Sequence, residues 1–450
     1  MNAMTPPKGA RPNQFALLSQ RRFAPFFWTQ FGGAANDNLF KFGFTVMVTY
    51  RVQTAGGVSP GLMVNLIAAL YILPFVLFST TSGQLSDKWP KDLLMRRVKL
   101  LEIAIMGLAL WGFLASDLGA LLACTFGMGL HSTLFGPAKY AYLPQHLDDA
   151  ELTGGNGMTE MGTFVAILLG NLLGGLLMSL RQGPLLVGLA CLGVALAGWM
   201  ASRGIPATPA LEPGLRVRWN PWRETLRNLG LAARDPVLLQ ALLAISWMWF
   251  YGVAFLTQFP VFAKDVLHGD EQVASLLLVV FSIGVGLGSL ACEWLASGRV
   301  EPGLVPLGAL GMSAFGIDMY WAVHALPQPQ GLQGVAGFLA QPGHWRVMAD
   351  LFMLSASAGV YSVPLYALIQ QHTPASHRAR VIAANNILNA LYMIVCSGYC
   401  ALLLALGVSV PMLLLSIALL NLAAAGLLLW RQPVYGRRFV AWLLRRPSAA

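Results

Sequence analysis

RGIPATPALEPGLRVRWNPWRETLRNLGLAARDP, residues 203–236, is the longest polar interruption in a chain of 450 residues that is otherwise strongly apolar. Hydrophobic residues make up 56% of the sequence and charged residues 11%, whereas soluble domains carry roughly a quarter charged residues. That composition predicts an all-α membrane protein. Stretches long enough to cross a hydrocarbon core of roughly 30 Å lie on both sides of the interruption. They are 24–50, 60–82, 98–116, 118–138, 157–180 and 184–202 before it, and 237–263, 273–297, 303–325, 346–371, 381–406 and 408–430 after it. The expected organisation is an N-terminal six-helix bundle (1–202), a central loop (203–236), a C-terminal six-helix bundle (237–430) and a basic amphipathic tail (431–450), twelve transmembrane helices in two pseudo-repeats.

Lys and Arg set the orientation, because translocated loops avoid them. With both termini cytoplasmic, about 24 of the 29 basic residues fall on the inner side, Lys99 and Lys139 among them. Only Arg51, Arg181, Lys264 and Arg346 fall outside, and Lys41 is left within a span. The net charge of +10 is thus placed beside anionic headgroups, and membrane lipids rather than nucleic acid are the expected partner. The first 22 residues are polar and basic with no leader-like cleavage site, so the first span is expected to stay in the mature chain. The five cysteines fall in predicted spans without metal-type spacing and read as small apolar residues; no cofactor or metal is expected. RRFVAWLLRR (437–446) and NPWRETLRNLGLAARD (220–235) have the pattern of helices lying flat at a lipid interface. Both read as topological anchors.

Duplication shows again in two loops. SGQLSDKWPKDLL (82–94) follows the second span, and CEWLASGRVEPG (292–303) follows the eighth. Each combines a small residue, an acid near a helix terminus and a cation, although in the second copy Glu293 precedes Gly298 and Arg299. The first copy resembles the signature of the major facilitator superfamily, carried by Gly83, Leu85, Asp87, Lys88 and Lys91. Physically it reads as a conformational latch, with Asp87 pairing across helix ends and meeting a helix N-terminus. It also reads, without gating, as a tight positive-inside loop. The resemblance implies a fold of two six-helix halves.

The first span, QFGGAANDNLFKFGF (30–44), is unusual in placing Asn36, Asp37, Asn38 and Lys41 in apolar surroundings. A charge at mid-span costs roughly 2.5–3.5 kcal/mol on insertion scales. Asp37 and Lys41, four apart, can neutralise each other. Asn36, Asp37 and Asn38 project about 100° apart, too widely for one partner to hide all three, so part of that face is expected to meet a polar cavity. Gly32 and Gly33 one turn earlier allow close packing or unwinding. Glu102 is close enough to the cytoplasmic end of its span to snorkel, Glu160 lies one turn inside its own, and His131 reads as a hydrogen-bonded interior histidine. Asn65, Asn171, Asp318, Asp350, Asn385, Asn386 and Asn389 are the other intramembrane polar groups, with Asn385 and Asn389 either interhelical glue or ligand contacts. Gly170 to Gly174 and Gly284 to Gly288 read as packing faces. In LFGPAKYAYLPQHL (134–147), Pro137 is expected to break or kink the fourth span, leaving Lys139 with Tyr140 and Tyr142 at headgroup depth, where they suit a phosphate or a plain interface anchor.

Five stretches together resemble the bacterial lysophospholipid transporter family (LplT) within that superfamily. They are QFGGAANDNLFKF (30–42), YILPFVLFSTTSGQLSDKW (71–89), GPAKYAYLP (136–144), GGNGMTEMGTFVAILLGNLLGG (154–175) and VPLYALIQQHTPASHRARVIAANNILNALYMI (363–394). The resemblance implies a carrier, not an enzyme. It implies movement of lysophospholipids, chiefly lysophosphatidylethanolamine, from the outer to the inner leaflet of the bacterial inner membrane. A separate lysophospholipid acyltransferase/acyl carrier protein synthetase is the implied partner, and it would restore the missing chain. It also implies a polar pathway through Asp37 and Asn38, Lys139 and Glu160, to which the local reading adds Asn36 and Lys41.

Three rivals remain on the sequence. A membrane acyltransferase commonly needs a His with an Asp five positions later as base and orienter. None of the seven histidines has one, and a GxSxG match at Gly57 to Gly61 lies in a short outer loop with no strand-to-helix elbow. A proton-coupled drug or metabolite exporter shares the expected fold. A non-transporting partner that docks an acyltransferase is the third.

Overall fold

A computed structural model describes residues 13–50, 60–326 and 331–444. Lys8, Arg11, Arg51, Gly57 to Ser59, part of the outer loop 326–345, and Arg445 and Arg446 lie outside the described residues. The helices are α1 (Ala24–Tyr50), α2 (Pro60–Lys88), α3 (Lys91–Ala115), α4 (Leu118–His146), α5 (Asp149–Ser179), α6 (Gly183–Arg203), α7 (Pro221–Ala232), α8 (Pro236–Val261), α9 (Glu271–Ala296), α10 (Leu304–His324), α11 (Val335–Ala340), α12 (Pro342–His372), α13 (Arg378–Ala405), α14 (Val410–Arg431) and α15 (Pro433–Leu443). Every one of the twelve expected spans is a helix. Ten are long and apolar enough to cross a bilayer on length and composition alone. The two that fall short are α1, diluted by Asn36, Asp37, Asn38 and Lys41, and α10, which carries Asp318.

Several helices start or end well beyond the expected spans, and always at the end of the bundle that carries Asp87. There α3 begins at Lys91 rather than 98, α5 at Asp149 rather than 157, and α4 runs through Pro137 and Pro144 to His146. Pro137 does not break α4. At about 1.5 Å per residue, the 29 residues of α4 outrun a hydrocarbon core of roughly 30 Å, so helix continues where hydropathy has already fallen. Caps set the true boundaries. Asp148 and Glu151 form a capping box on α5, Asp117 accepts from Ala120 N at the start of α4, and Asp235 and Asp270 do the same for α8 and α9.

The two halves share one packing scheme. In the first, α1 packs on α5 and α6, α2 on α4, and α3 on α4 and α6. In the second, α8 packs on α13 and α14, α9 on α12, and α10 on α12 and α14. The halves then meet through α5 against α9 and its counterpart α13 against α2. Large apolar side chains such as Trp111, Leu176, Val395 and Leu402 remain exposed around the outside, as lipid contact demands.

Glycine permits the closest approaches. A Cβ at Gly170 would collide with the Ala35 carbonyl oxygen of α1, and one at Gly174 would lie 2.6 Å from the Leu39 carbonyl oxygen. Gly284 and Gly288 of α9 meet Ser355 and the Ala356 carbonyl of α12 in the same way. The amphipathic tail helix α15 is less free than its pattern implies. Tyr435 is buried, Arg438 pairs with Glu301 at 2.7 Å, and Trp442 Nε1 donates to the Leu295 carbonyl. On α7 and just before it, Trp219, Trp222 and Leu226 are exposed.

Overpacking at such a contact costs roughly 1–3 kcal/mol, so Gly170→Val is expected to lower the unfolding temperature in detergent. Gly193→Ala, where a Cβ meets nothing within 4 Å, is expected to hold or slightly raise it, since alanine favours a helix over glycine. Thermal unfolding followed by size-exclusion chromatography checks the pair; equal melting of the two variants would show that the α1–α5 contact is not close.

Candidate functional site

A cavity of about 570 Å³ lies between the halves. Its polar lining comes mostly from the first half: Gln30, Asp37, Asn38 and Lys41 of α1, Tyr71 of α2, Lys99 of α3, His131, Ser132 and Lys139 of α4, and Thr163 and Asn171 of α5. The second half supplies Trp249, Tyr366, Asn386, Asn389, Ala390 and Met393. Charge on one wall faces aromatic rings, amides and apolar groups on the other.

The three consecutive polar residues of α1 diverge as their 100° spacing requires. Asp37 is 7% exposed and faces the cavity; its Oδ2 accepts from Tyr71 Oη at 2.9 Å and from Ser132 Oγ. Its Oδ1 has no hydrogen-bond partner among the described residues. Asn38 lines the cavity, and its amide donates to the Ala34 carbonyl. Asn36 turns the other way, into the first half, where its amide donates to Glu102 Oε1 at 2.7 Å. Lys41 does not close an ion pair on Asp37. Its ammonium rests over the Tyr71 ring, 3.9 Å from the ring centre.

Behind Asp37 lies a cluster that sequence reading placed elsewhere. Glu102 does not snorkel and Lys99 is not a loop cation: both are 0% exposed. The helix α3 starts at Lys91, seven residues before the expected span, and both side chains stand well inside it, within the bundle. Lys99 Nζ donates to Glu102 Oε2 at 2.6 Å, and His131 Nε2 stands 3.3 Å from the same oxygen. Lys99 and His131 also reach the cavity wall. A buried pair survives only with good geometry and its remaining lone pairs met; Asn36 meets one here.

Lys139 sits inside continuous α4 rather than in a loop after it. It is 8% exposed, lines the cavity and donates to Thr163 Oγ1 at 2.9 Å, and Thr163 in turn donates to Gln30 Oε1 at 3.2 Å. Glu160 is buried away from the cavity wall, where it accepts from Tyr140 Oη. Tyr140 stacks on Tyr366 of the other half with ring centres 4.4 Å apart. Of the six residues expected to form the polar pathway, the fold brings Asp37, Asn38, Lys41 and Lys139 to the cavity wall and holds Asn36 and Glu160 one contact behind it. Tyr71, Ser132 and Thr163 had no signal of their own, since single hydroxyl residues are common in transmembrane helices. Asn385 donates to the Leu242 carbonyl and to Ser246, which ties α13 to α8, while Asn389 also lines the cavity. Asn65 is exposed on α2. Asp318 pairs with Arg346 at 2.6 Å near the end opposite Asp87.

At the Asp87 end the bundle is shut. Asp87 is 0% exposed; Oδ2 accepts from Arg380 Nε at 3.0 Å and Oδ1 from Ala379 N at 3.3 Å, in the first turn of α13. A Cβ at Gly83 would lie 2.6 Å from Ala383 Cβ and 2.8 Å from the Ala379 carbonyl. Lys91 is buried nearby with no hydrogen bond to its Nζ among the described residues, and Lys88 is half-exposed. In the other repeat, Glu293 of α9 packs on Gly154 near the start of α5. Across the same end, Gln370 of α12 bonds Asn156 and the Tyr140 carbonyl. The central segment crosses here too: Arg218 N donates to Gln84 Oε1, Glu212 N to the Asp87 carbonyl and Thr208 N to Asp92 Oδ1.

Residues 26–397 match the sequence family described as Major Facilitator Superfamily. Among curated proteins, the chain is similar to the lysophospholipid transporters LplT of Pectobacterium carotovorum (27% identity, covering 85% of this chain and 86% of the relative), Enterobacter sp. (25%, 82% and 86%) and Escherichia coli strain SE11 (25%, 90% and 94%). Among solved structures it resembles the E. coli fucose:proton symporter FucP (TM-score 0.68, 12% identity, covering 91% of this chain and 98% of that one). It also resembles a bacterial homologue of the iron transporter ferroportin in an outward-facing state (0.65, 14%, 94% and 99%). At such identities these structures establish the fold.

Removing one partner of a buried pair typically costs about 3–5 kcal/mol. Glu102→Leu, which strands Lys99, is expected to destabilise by that order, and Lys99→Met/Glu102→Leu to regain most of it. Melting of the two variants in detergent separates the outcomes; a double variant no more stable than the single would dissolve the pairing.

Proposed function

The chain belongs to the major facilitator superfamily, so it is a multi-pass membrane transporter and not an enzyme, and from that premise we propose that it carries lysophospholipids across the bilayer. The substrate is a lysolipid such as lysophosphatidylethanolamine, moved from the outer to the inner leaflet of a bacterial inner membrane by alternating access. A separate acyltransferase/acyl carrier protein synthetase is the partner that reacylates it. One observation carries this reading: the cavity is lined from one side by Asp37, whose buried Oδ1 has no hydrogen bond among the described residues, and by the cations Lys41 and Lys139, with an apolar strip of Val64, Ile67, Ala68, Ile72 and Phe75 beside them. A zwitterionic headgroup needs both charges, and an acyl chain needs the strip. The relatives at 24–27% identity support the substrate class.

In this reading Asp37 and Asn38 receive the amine, Lys139 the phosphate, and Glu160 steers Lys139 from behind Tyr140. Asn36 holds the cluster behind Asp37. The two six-helix halves, 1–202 and 237–430, rock against each other. Gly83, Asp87, Lys88 and Lys91 form the latch, with Asp87 on the α13 N-terminus keeping the cytoplasmic end closed, and both termini lie on that side.

The test is uptake of labelled lysophosphatidylethanolamine by proteoliposomes. A lost hydrogen bond to a charged group is worth roughly 1.5–3 kcal/mol, so Asp37→Asn is expected to cut transport efficiency about 10- to 100-fold while folded protein is retained. Lys139→Ala is expected to raise KM more than it lowers kcat. Wild-type kinetics in both variants would remove these residues from the pathway, and wild-type protein that ignores lysolipids but exports small cations would replace the substrate.

A further inference from the structure

Asp37 and Lys41 are one turn apart on α1, the spacing at which opposite charges on a helix meet. Away from bulk water their attraction is strengthened, so the default outcome is mutual neutralisation, which would leave neither group for a ligand. The structure avoids it. Tyr71, from the neighbouring helix α2, engages both: its hydroxyl donates to Asp37 Oδ2 at 2.9 Å, and its face carries the Lys41 ammonium 3.9 Å from the ring centre. Ser132 adds a second donor to the same carboxylate oxygen. Asp37, Lys41 and Tyr71 all line the cavity, and Asp37 Oδ1 is left without a hydrogen bond among the described residues.

We propose that Tyr71 is a positioning residue that holds the Asp37 carboxylate and the Lys41 ammonium apart, so that the cavity offers a ligand two separate opposite charges. The phenol suits this task because its two ends differ. Its hydroxyl is a donor that a carboxylate accepts, and its face attracts a cation. Phenylalanine keeps only the second property and leucine neither. A substrate whose amine and phosphate are a few bonds apart matches a pair of charges held this way, and in that respect the inference rests on the lysophospholipid reading.

Two measurements test it. In proteoliposomes, Tyr71→Leu frees Lys41 to fold onto Asp37 and is expected to raise KM for lysophosphatidylethanolamine about tenfold or more with kcat little changed. Tyr71→Phe falls between it and wild type. Independently of any substrate, acylation of Lys41 by a water-soluble activated ester, which forms an amide and releases its alcohol leaving group, is read by peptide-resolved mass spectrometry and is expected to slow in Tyr71→Leu and to stay near wild type in Tyr71→Phe. Unchanged Lys41 labelling in Tyr71→Leu, or a wild-type KM in that variant, overturns the proposal. Should Tyr71→Leu fail to fold, a Tyr71→Phe variant with wild-type KM overturns it equally. If wild type moves no lysophospholipid, the substrate reading falls and the labelling result still decides the role of Tyr71.

Discussion

In hydrocarbon no water is present to receive a polar group, so every charge placed there must be met by protein or by an enclosed wet space. The first half of this bundle answers that constraint in two ways within a few ångströms. Glu102 gathers Lys99, Asn36 and His131 around its carboxylate in a buried cluster. Asp37 and Lys41 are satisfied only in part, by Tyr71 and Ser132, and keep a share of their capacity for the cavity. The cluster around Glu102 ties α1, α3 and α4 together, and Asp37 and Lys41 sit on the wall it backs. Rigid support behind an open polar site is what orients a ligand.

Twelve apolar stretches and the polar divider at 203–236 made the architecture legible, because in lipid the apolar length of a span is a direct physical requirement. The extra turns of α3, α4 and α5 at the Asp87 end were not legible. Hydropathy reports where a helix leaves hydrocarbon, and these helices continue beyond it, packed on each other and capped by residues such as Asp148. The same limit misplaced Lys99 and Lys139, which read as inner-side cations and line the cavity from within α3 and α4. At the site, the divergence of Asn36, Asp37 and Asn38 could be read from helical geometry, yet which of them faces the cavity could not. That depends on Glu102, 66 positions away from Asn36. Tyr71 gave no warning at all, since an aromatic residue in an apolar helix is ordinarily a packing residue.

The two halves meet at the Asp87 end through contacts that include an ion pair, an amide pair, a ring stack and a close backbone approach: Asp87 with Arg380, Gln370 with Asn156, Tyr140 stacked on Tyr366, and Gly83 against Ala383. The ion pair and the amide pair suit the opening proposed for this interface. A buried ion pair contributes little net stability, because desolvation offsets most of its attraction, and its members regain hydration when the halves part. An apolar seam of the same area would resist separation far more. The glycines serve the same end by letting backbones touch without interlocking side chains. The central segment adds a tether, bound to α2 and α3 through Gln84, Asp87 and Asp92 and leading directly into α7 and α8.

A ligand shifts a two-state carrier only through its differential affinity for the two states. The division of labour across the cavity bears on how that difference arises. Lys139 and Tyr140 are consecutive in α4, so the cation that faces the cavity and the ring that stacks on the opposite half share one short piece of backbone. The Tyr140 hydroxyl is held by Glu160, and its ring by Tyr366. Any ligand that draws the Lys139 ammonium off Thr163 therefore pulls on the segment that clasps the second half. A ligand held by Asp37 alone would touch only the first half and leave the clasp undisturbed. In the proposed cycle, coupling of occupancy to opening thus runs through the group that engages Lys139 while Asp37 holds the opposite charge of the same molecule, and this ties the chemistry of the cavity wall to the seam beneath it.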